Sequence, residues 1–259
     1  MVHPILPVVT KNASSQDISK TLNASDNEFQ FYYFKLHTHG ATPRALLAYA
    51  DAKWSNIYPG DWYVHDKPLT KFGTLPILYE VSADGKTVIE HAEAMAIELR
   101  LARTFNLLGA NAFEESQILS VYSNTRAIMH RHEDAYFTRS QFRNEERDKF
   151  INTGLSQWIA SHEKLLQANG GTGFYIGDKV TLAEIKTAVA IDQLLNELYV
   201  FKDFEGIKKL ITPELTPNLW KVRENVLQKK SYKDWTESGV FQELKDGTTE
   251  LFDHEYSEL

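Results

Sequence analysis

Two histidine pairs, His37-Thr-His39 and His130-Arg-His132, are the first residues whose type and spacing invite a chemical reading. Side chains two positions apart diverge on a helix and converge only on a strand or loop. No third ligand accompanies either pair, so neither makes a metal centre. The chain has no cysteine, which removes thiolate zinc sites, iron–sulfur clusters, disulfide scaffolds and cysteine nucleophiles. No motif context for a Ser–His–Asp triad is present. Gly170-Gly-Thr-Gly173 follows a helical pattern and not a strand, so it is a turn and not a phosphate cradle. Tyr32 and Tyr33 lie in the aromatic run Glu28-Phe-Gln-Phe-Tyr-Tyr-Phe34. On pattern alone Tyr33 is a core strand tyrosine, and alternation turns Tyr32 to the opposite face.

The elements that carry these residues fall into two styles. Residues Glu28 to Phe34 are short and aromatic-rich, as a buried strand is. Thr42-Pro43 reads as an N-cap and first helical position, opening a helix to about Ala52 with Leu46, Leu47 and Ala50 on one face. Trp54 to Tyr58 forms a second strand. Leu75 to Val81, the turn Ser82-Ala-Asp-Gly85 and Thr87 to Ile89 form a hairpin, followed by a helix from His91 to Thr104. Beyond Leu107-Leu-Gly-Ala110 the spacing is helical throughout. Ile118, Tyr122, Ile128 and Met129 mark one helix; Ile151, Leu155, Trp158, Ile159, His162, Leu165 and Leu166 mark another. Thr181-Leu-Ala-Glu184 is a capping box that opens a helix carrying Val189, Ile191, Leu194, Leu195 and Leu198, and a further helix follows Pro217.

The 259 residues suggest about two domains. Hydrophobic residues are 42% and aromatics 12%, which excludes a disordered chain. No apolar run reaches the ~20 residues of a membrane helix. The net charge is −7, concentrated between Thr236 and Leu259, where seven acids face one lysine. Nothing resembles the basic face that binds phosphate backbones, so nucleic acid is not an expected partner. Met1 to Val9 is too short, and too broken by Pro4 and Pro7, for a signal-peptide core. The triplets Asn12-Ala-Ser14 and Asn23-Ala-Ser25 then read as chance in a polar stretch, and the expected location is cytoplasmic.

Three ordered segments resemble the cytosolic glutathione transferases, nearest their sigma-like branch, which includes haematopoietic prostaglandin D synthase. Tyr33-Phe34 precedes Arg44 and a helix start, as in that branch's first strand. Phe72-Gly-Thr-Leu-Pro76-Ile-Leu78, the hairpin and Glu93-Ala-Met-Ala-Ile97 resemble the family's loop, cis-proline strand and helix start. Tyr175-Ile-Gly-Asp-Lys-Val-Thr-Leu-Ala-Glu-Ile185 resembles its capping-box segment. The likeness runs from about Phe29 to Trp235. It implies an α+β thioredoxin-like N-terminal domain followed by an all-α helical domain, with boundaries at 1–28 (polar extension), 29–105, 112–235 and 236–259 (acidic tail, read as a solvated end).

The resemblance also implies chemistry. Glutathione is the co-substrate, conjugated to hydrophobic electrophiles in a detoxifying reaction, and the chain is a homodimer without a membrane span. Tyr33 stabilises the thiolate: a phenol O–H donates to a sulfur anion and so favours the nucleophilic form. Trp62 and Lys67 hold the glycyl end. Leu75, ahead of a cis Pro76, offers its backbone to the cysteinyl part as an added strand would, and Glu93 with the Ala94 N–H meets the γ-glutamyl end. The electrophile lies near the helix of Tyr122 and Arg126. Three positions depart from the pattern: Ala94 lacks the family's hydroxyl, His39 replaces an arginine, and Thr74 stands where Lys or Gln is common. They motivate two alternatives, a weak or inactive transferase-like structural, storage or interaction protein and a glutathione-dependent isomerase.

Overall fold

A computed structural model describes residues 14–137, 143–200 and 205–256, and the chain divides between Asn106 and Leu107 into two compact units. Residues 1–13 of the expected extension and 257–259 of the acidic tail lie outside the described residues.

The first unit is a four-stranded sheet with helices. Strands β1 (Glu28–Tyr32), β2 (Trp54–Ile57), β3 (Ile77–Val81) and β4 (Val88–Ala92) lie in the order β2-β1-β3-β4, with β2 parallel to β1 and the other pairs antiparallel. Helix α2 (Ala41–Tyr49) crosses between the parallel strands. Helix α3 (Ala94–Thr104) packs on β3, β4 and α2. Phe29, Phe31, Leu46, Leu47, Leu78, Ile97 and Leu101 are buried, while Tyr32, Ile77, Tyr79 and Val88 form a cluster joined by Leu75.

Several boundaries differ from expectation: β1 and β2 end at Tyr32 and Ile57, short of Phe34 and Tyr58, and the hairpin strands begin at Ile77 and Val88, the second running on to Ala92. Helix α2 begins at Ala41, because a 3₁₀ turn over Thr38–Gly40 runs straight into it; Gly40 is the cap and Thr42 lies inside. Pro43 is tolerated because first-turn N–H groups have no helical acceptor. The helix ends at Tyr49. His91, expected to open a helix, instead lies within β4 opposite Leu78, its ring 3.1 Å from the Glu80 carboxylate. Ladder pairing overrides local helix propensity there.

The polar extension is docked in part. Helix α1 (Ser15–Leu22) starts with a capping box between Ser14 and Asp17. Asn27 donates to the Thr21 carbonyl and to Glu80, both at 2.7 Å, and Arg100 donates to the Leu22 carbonyl at 2.8 Å. Glu80 is fully buried on β3 and takes two bonds from Arg100, at 3.0 and 2.8 Å. Burial alone would raise its pKa, but His91, Arg100 and Asn27 hold it below the ordinary carboxylate value.

Among the described residues the regular elements of the second unit are all helical: α4 (Ala112–Phe137), α5 (Arg143–Lys149), α6 (Ser156–Ala168), α7 (Leu182–Leu194), α8 (Glu205–Lys208), α9 (Pro217–Leu227), α10 (Lys230–Thr236) and α11 (Gly239–Tyr256). Helix α7 is buried nearly all round, as a central core helix must be, and packs on α4 and α9. Its capping box forms as expected: Thr181 Oγ1 accepts from Ala183 N at 3.2 Å, while the Glu184 carboxylate takes the Thr181 N–H at 2.7 Å. The acidic tail departs from a solvated end. It folds as α11 with Leu244, Thr248 and Phe252 buried, the Phe252 ring 4.8 Å from that of Tyr199.

Candidate functional site

The sheet register assembles the candidate site. Ile57, Tyr32, Ile77 and Ala92 form one row across the four strands. One residue beyond that row, at the same end of the sheet, are Tyr33, Tyr58, Pro76 and Glu93, with the N-terminus of α3 at Ala94. The Tyr33 N–H bonds the Ile57 carbonyl at 3.1 Å, which fixes where the chain leaves β1. Four expected site residues, Tyr33, Pro76, Glu93 and Ala94, thus leave the sheet at one end through strand register alone. Leu75 lies one step further out, beyond the last ladder pair.

Tyr33 and Tyr32 have different surroundings. Tyr32 is wholly buried among Ile77, Tyr79 and Val88, and burial first, then Asp66, raises its pKa. Its phenol is part of the sheet's packing. Tyr33 is turned the other way, with its hydroxyl 2.7 Å from Thr38 Oγ1. The Arg44 guanidinium faces the Phe31 and Tyr33 rings, at 5.0 and 5.7 Å from their centroids. Arg44 is fully buried on α2, donating to the Leu36 carbonyl (2.5 Å), the Phe34 carbonyl (3.1 Å) and Asn56 Oδ1 (2.8 Å). Burial pulls it down to about 10, with Tyr58 and Tyr33 acting the other way, so it stays a cation at neutral pH. Gly40 is required by space: a Cβ there would lie 2.5 Å from Arg44 Nη1 and 2.8 Å from Tyr33 Cδ1.

The remaining expected residues spread outward. The Leu75–Pro76 bond is cis, as the resemblance implied. Leu75 is half-buried and Pro76 buried. Glu93 is exposed, has φ 73°, and takes a bond from Thr74 Oγ1 at 3.2 Å. Ala94 opens α3 and is half-buried. Trp62 is half-buried in a single wide π-helical turn over Trp62–Asp66, its ring 5.6 Å from that of Phe34, which in turn touches the Tyr33 ring at 5.6 Å. Lys67 is exposed on the next turn, its aliphatic stem beside Gly73, and the structure gives it no link to the sheet end. His37 is buried and His39 exposed, as are His132 and His130 respectively, so each pair diverges. In the second unit Tyr122 is buried under Lys186, while Arg126 is exposed.

Sequence reasoning missed Thr38, Gly40, Asn56 and the burial of Arg44. Thr38 has φ 26°, a region where only glycine is comfortable, and no motif marks a threonine for it. Arg44 was legible only as a spacing mark, because two of its three acceptors are backbone carbonyls, which have no signature in side-chain patterns.

Residues 128–239 match the family model described as glutathione S-transferase, C-terminal domain. A glutathione S-transferase of Dirofilaria immitis is 32% identical over 160 residues, 60% of this chain and 72% of that protein. A probable glutathione S-transferase 7 of Caenorhabditis elegans is 27% identical over 171 residues, 64% of this chain and 80% of that protein. The structure of a Fasciola hepatica sigma class GST superposes with a TM-score of 0.68 at 18% identity, over 82% of this chain and 96% of that one, which speaks for the fold.

Proposed function

Because the chain belongs to the glutathione S-transferase family, we propose that it conjugates glutathione, as co-substrate, to hydrophobic electrophiles, with the Tyr33 hydroxyl stabilising the thiolate. A free thiol has a pKa near ~8.5 and is mostly protonated at neutral pH, and each unit of depression is worth about 1.36 kcal/mol. A phenol proton held at the sulfur favours the anion, and the buried Arg44 cation facing the Tyr33 ring strengthens the phenol as a donor. The observation that carries this reading is the convergence of Tyr33, cis Pro76 and Glu93 one step off the same end of the sheet.

Within the same proposal, the tripeptide lies along that end. Leu75 adds backbone hydrogen bonds to its cysteinyl part as an added strand does, while Glu93 and the Ala94 N–H meet the γ-glutamyl end. Trp62 and Lys67 take the glycyl end. The assignment to the sigma-like branch, a cytoplasmic location and a homodimer belong to the proposal too. Exposed apolar side chains between β2 and β3 support the dimer: Tyr63, Leu69 and Phe72 are 82, 72 and 60% exposed. Sedimentation should give twice the 29.7 kDa chain mass.

One observation favours the second reading, a transferase-like protein with little catalysis. The Thr74 hydroxyl is bonded to the Glu93 carboxylate, so a group assigned to the ligand's γ-glutamyl end is engaged by the chain itself, and Ala94 supplies no hydroxyl. Two experiments separate them. Calorimetry should show glutathione binding in the micromolar to low-millimolar range; no heat at several millimolar sinks the enzyme reading. Tyr33→Phe should lose roughly 10- to 150-fold in kcat/KM, the value of a hydrogen bond to a charged group. Full activity in that variant removes Tyr33 from the mechanism.

A further inference from the structure

We propose that Thr38 is a positioning residue for the reaction: its hydroxyl donates to the Tyr33 phenol oxygen and leaves the phenol proton aimed at the sulfur. This rests on the reading of Tyr33 as the thiolate's hydrogen-bond donor.

Thr38 Oγ1 lies 2.7 Å from the Tyr33 oxygen, a full hydrogen bond in which either group can donate. A phenol has one proton and an oxygen that also accepts. If that proton goes to Thr38, none is left for sulfur. A thiolate is the stronger acceptor, so with sulfur present the phenol proton turns to it and the Thr38 proton turns to the phenol oxygen. The result is a chain from Thr38 O–H to Tyr33 O–H to S⁻, in which each bond polarises the next. No proton is transferred within the chain. The glutathione thiol's own proton leaves to solvent.

The backbone gives the second, independent line. Thr38 sits at φ 26°, where a β-branched residue is an outlier and glycine would be at ease. Such a conformation persists only where surroundings over-determine it. They do so here. The Gly40 N–H bonds the His37 carbonyl at 2.7 Å, and the Ala41 N–H bonds the Thr38 carbonyl. Arg44 grips the carbonyls of Phe34 and Leu36 on the approach to the turn. Gly40 has no room for a Cβ against Arg44 and Tyr33. A fixed loop therefore carries a side chain ill-suited to its backbone, and the hydroxyl is what that side chain adds.

The test uses the full chain and conjugation of glutathione to an activated aryl chloride across mildly acid to mildly alkaline pH. Thr38→Gly and Thr38→Ala should each lower kcat/KM at neutral pH about two- to tenfold, the range for one neutral hydrogen bond. The ionisation in the pH profile should move upward, KM for glutathione should stay nearly constant, and Thr38→Ser should restore the wild-type profile. The other ionisable groups of this loop and its neighbours are Lys35, His37, His39, Arg44 and Tyr58, and all are unchanged in these variants. Thr38→Gly also relieves the backbone, so a loss there cannot come from added strain. Wild-type or raised activity in Thr38→Gly and Thr38→Ala overturns the proposal, as does a loss seen only in KM with an unmoved profile. Tyr33→Phe run alongside separates the two levels. If it keeps full activity, the reading of Tyr33 itself fails; if it is impaired while the Thr38 variants are not, only Thr38 is wrong. In the Tyr33→Phe background, Thr38→Ala should add no further loss.

Discussion

At the scale of single residues, the site is set by what surrounds one phenol. Thr38 meets the Tyr33 oxygen, Arg44 faces its ring, and Gly40 lies against its edge. Space at Gly40 is the most sensitive of these. Its φ of −85° suits any residue, so the constraint is purely steric. An added methyl must displace either the Arg44 guanidinium, held by two carbonyls, or the Tyr33 ring. Gly40→Ala should therefore cost about 1–3 kcal/mol of stability, typical of overpacking, and lower conjugation through the displaced phenol. Chemical denaturation and kinetics on the same sample check both. Unchanged values in each would mean that the turn has slack which the contact distances do not suggest.

At the scale of elements, the Glu80 cluster fastens α1, β3, β4 and α3 to one another. Its carboxylate is fully buried and held by Arg100, His91 and Asn27. Because its folded pKa lies below the unfolded value, its contribution to stability is present at neutral pH and fades as pH falls through the carboxylate range toward the lowered pKa. Arg100→Met leaves a buried carboxylate without its main partner and should cost about 3–5 kcal/mol, with earlier proteolysis near residues 14–27. Equal acid sensitivity in wild type and variant would contradict this role. None of this was legible in the sequence. Glu80 sits in a strand of buried neighbours, and its partners are 53, 11 and 20 positions away. The hairpin was legible, because Ser82-Ala-Asp-Gly85 is a local turn signal and Gly85 takes φ 70° there. The start of α2 was not, since a 3₁₀ turn through His39 and Gly40 leaves no capping side chain to read. Of the candidate site, Tyr33, Pro76, Glu93 and Ala94 were expected from motifs, and strand register explains why they lie together at one end of the sheet. Lys67 was placed by spacing alone and sits on an exposed turn.

At the scale of the whole molecule, the first and last described helices, α1 and α11, each add structure to the unit they adjoin. The acids of the tail suggested solvation, yet Leu244, Thr248 and Phe252 recur every four residues and bury one stripe of α11. Val200 N–H donates to Thr249 Oγ1 at 3.0 Å, and Lys245 lies 3.8 Å from Glu197. Removing residues from 239 onward should lower the thermal midpoint of the helical unit by several degrees, as loss of about 1–3 kcal/mol does. An unchanged midpoint would make α11 a passenger. The glutathione site is assigned wholly to the first unit, so binding of the tripeptide gives a separate readout in that truncated chain. The most direct test of the chemistry is the ultraviolet titration of the thiolate of bound glutathione, in wild type and in Tyr33→Phe. Wild type should ionise the bound thiol well below ~8.5 and Tyr33→Phe should return it toward that value; identical titrations in the two proteins would contradict a phenol-stabilised thiolate.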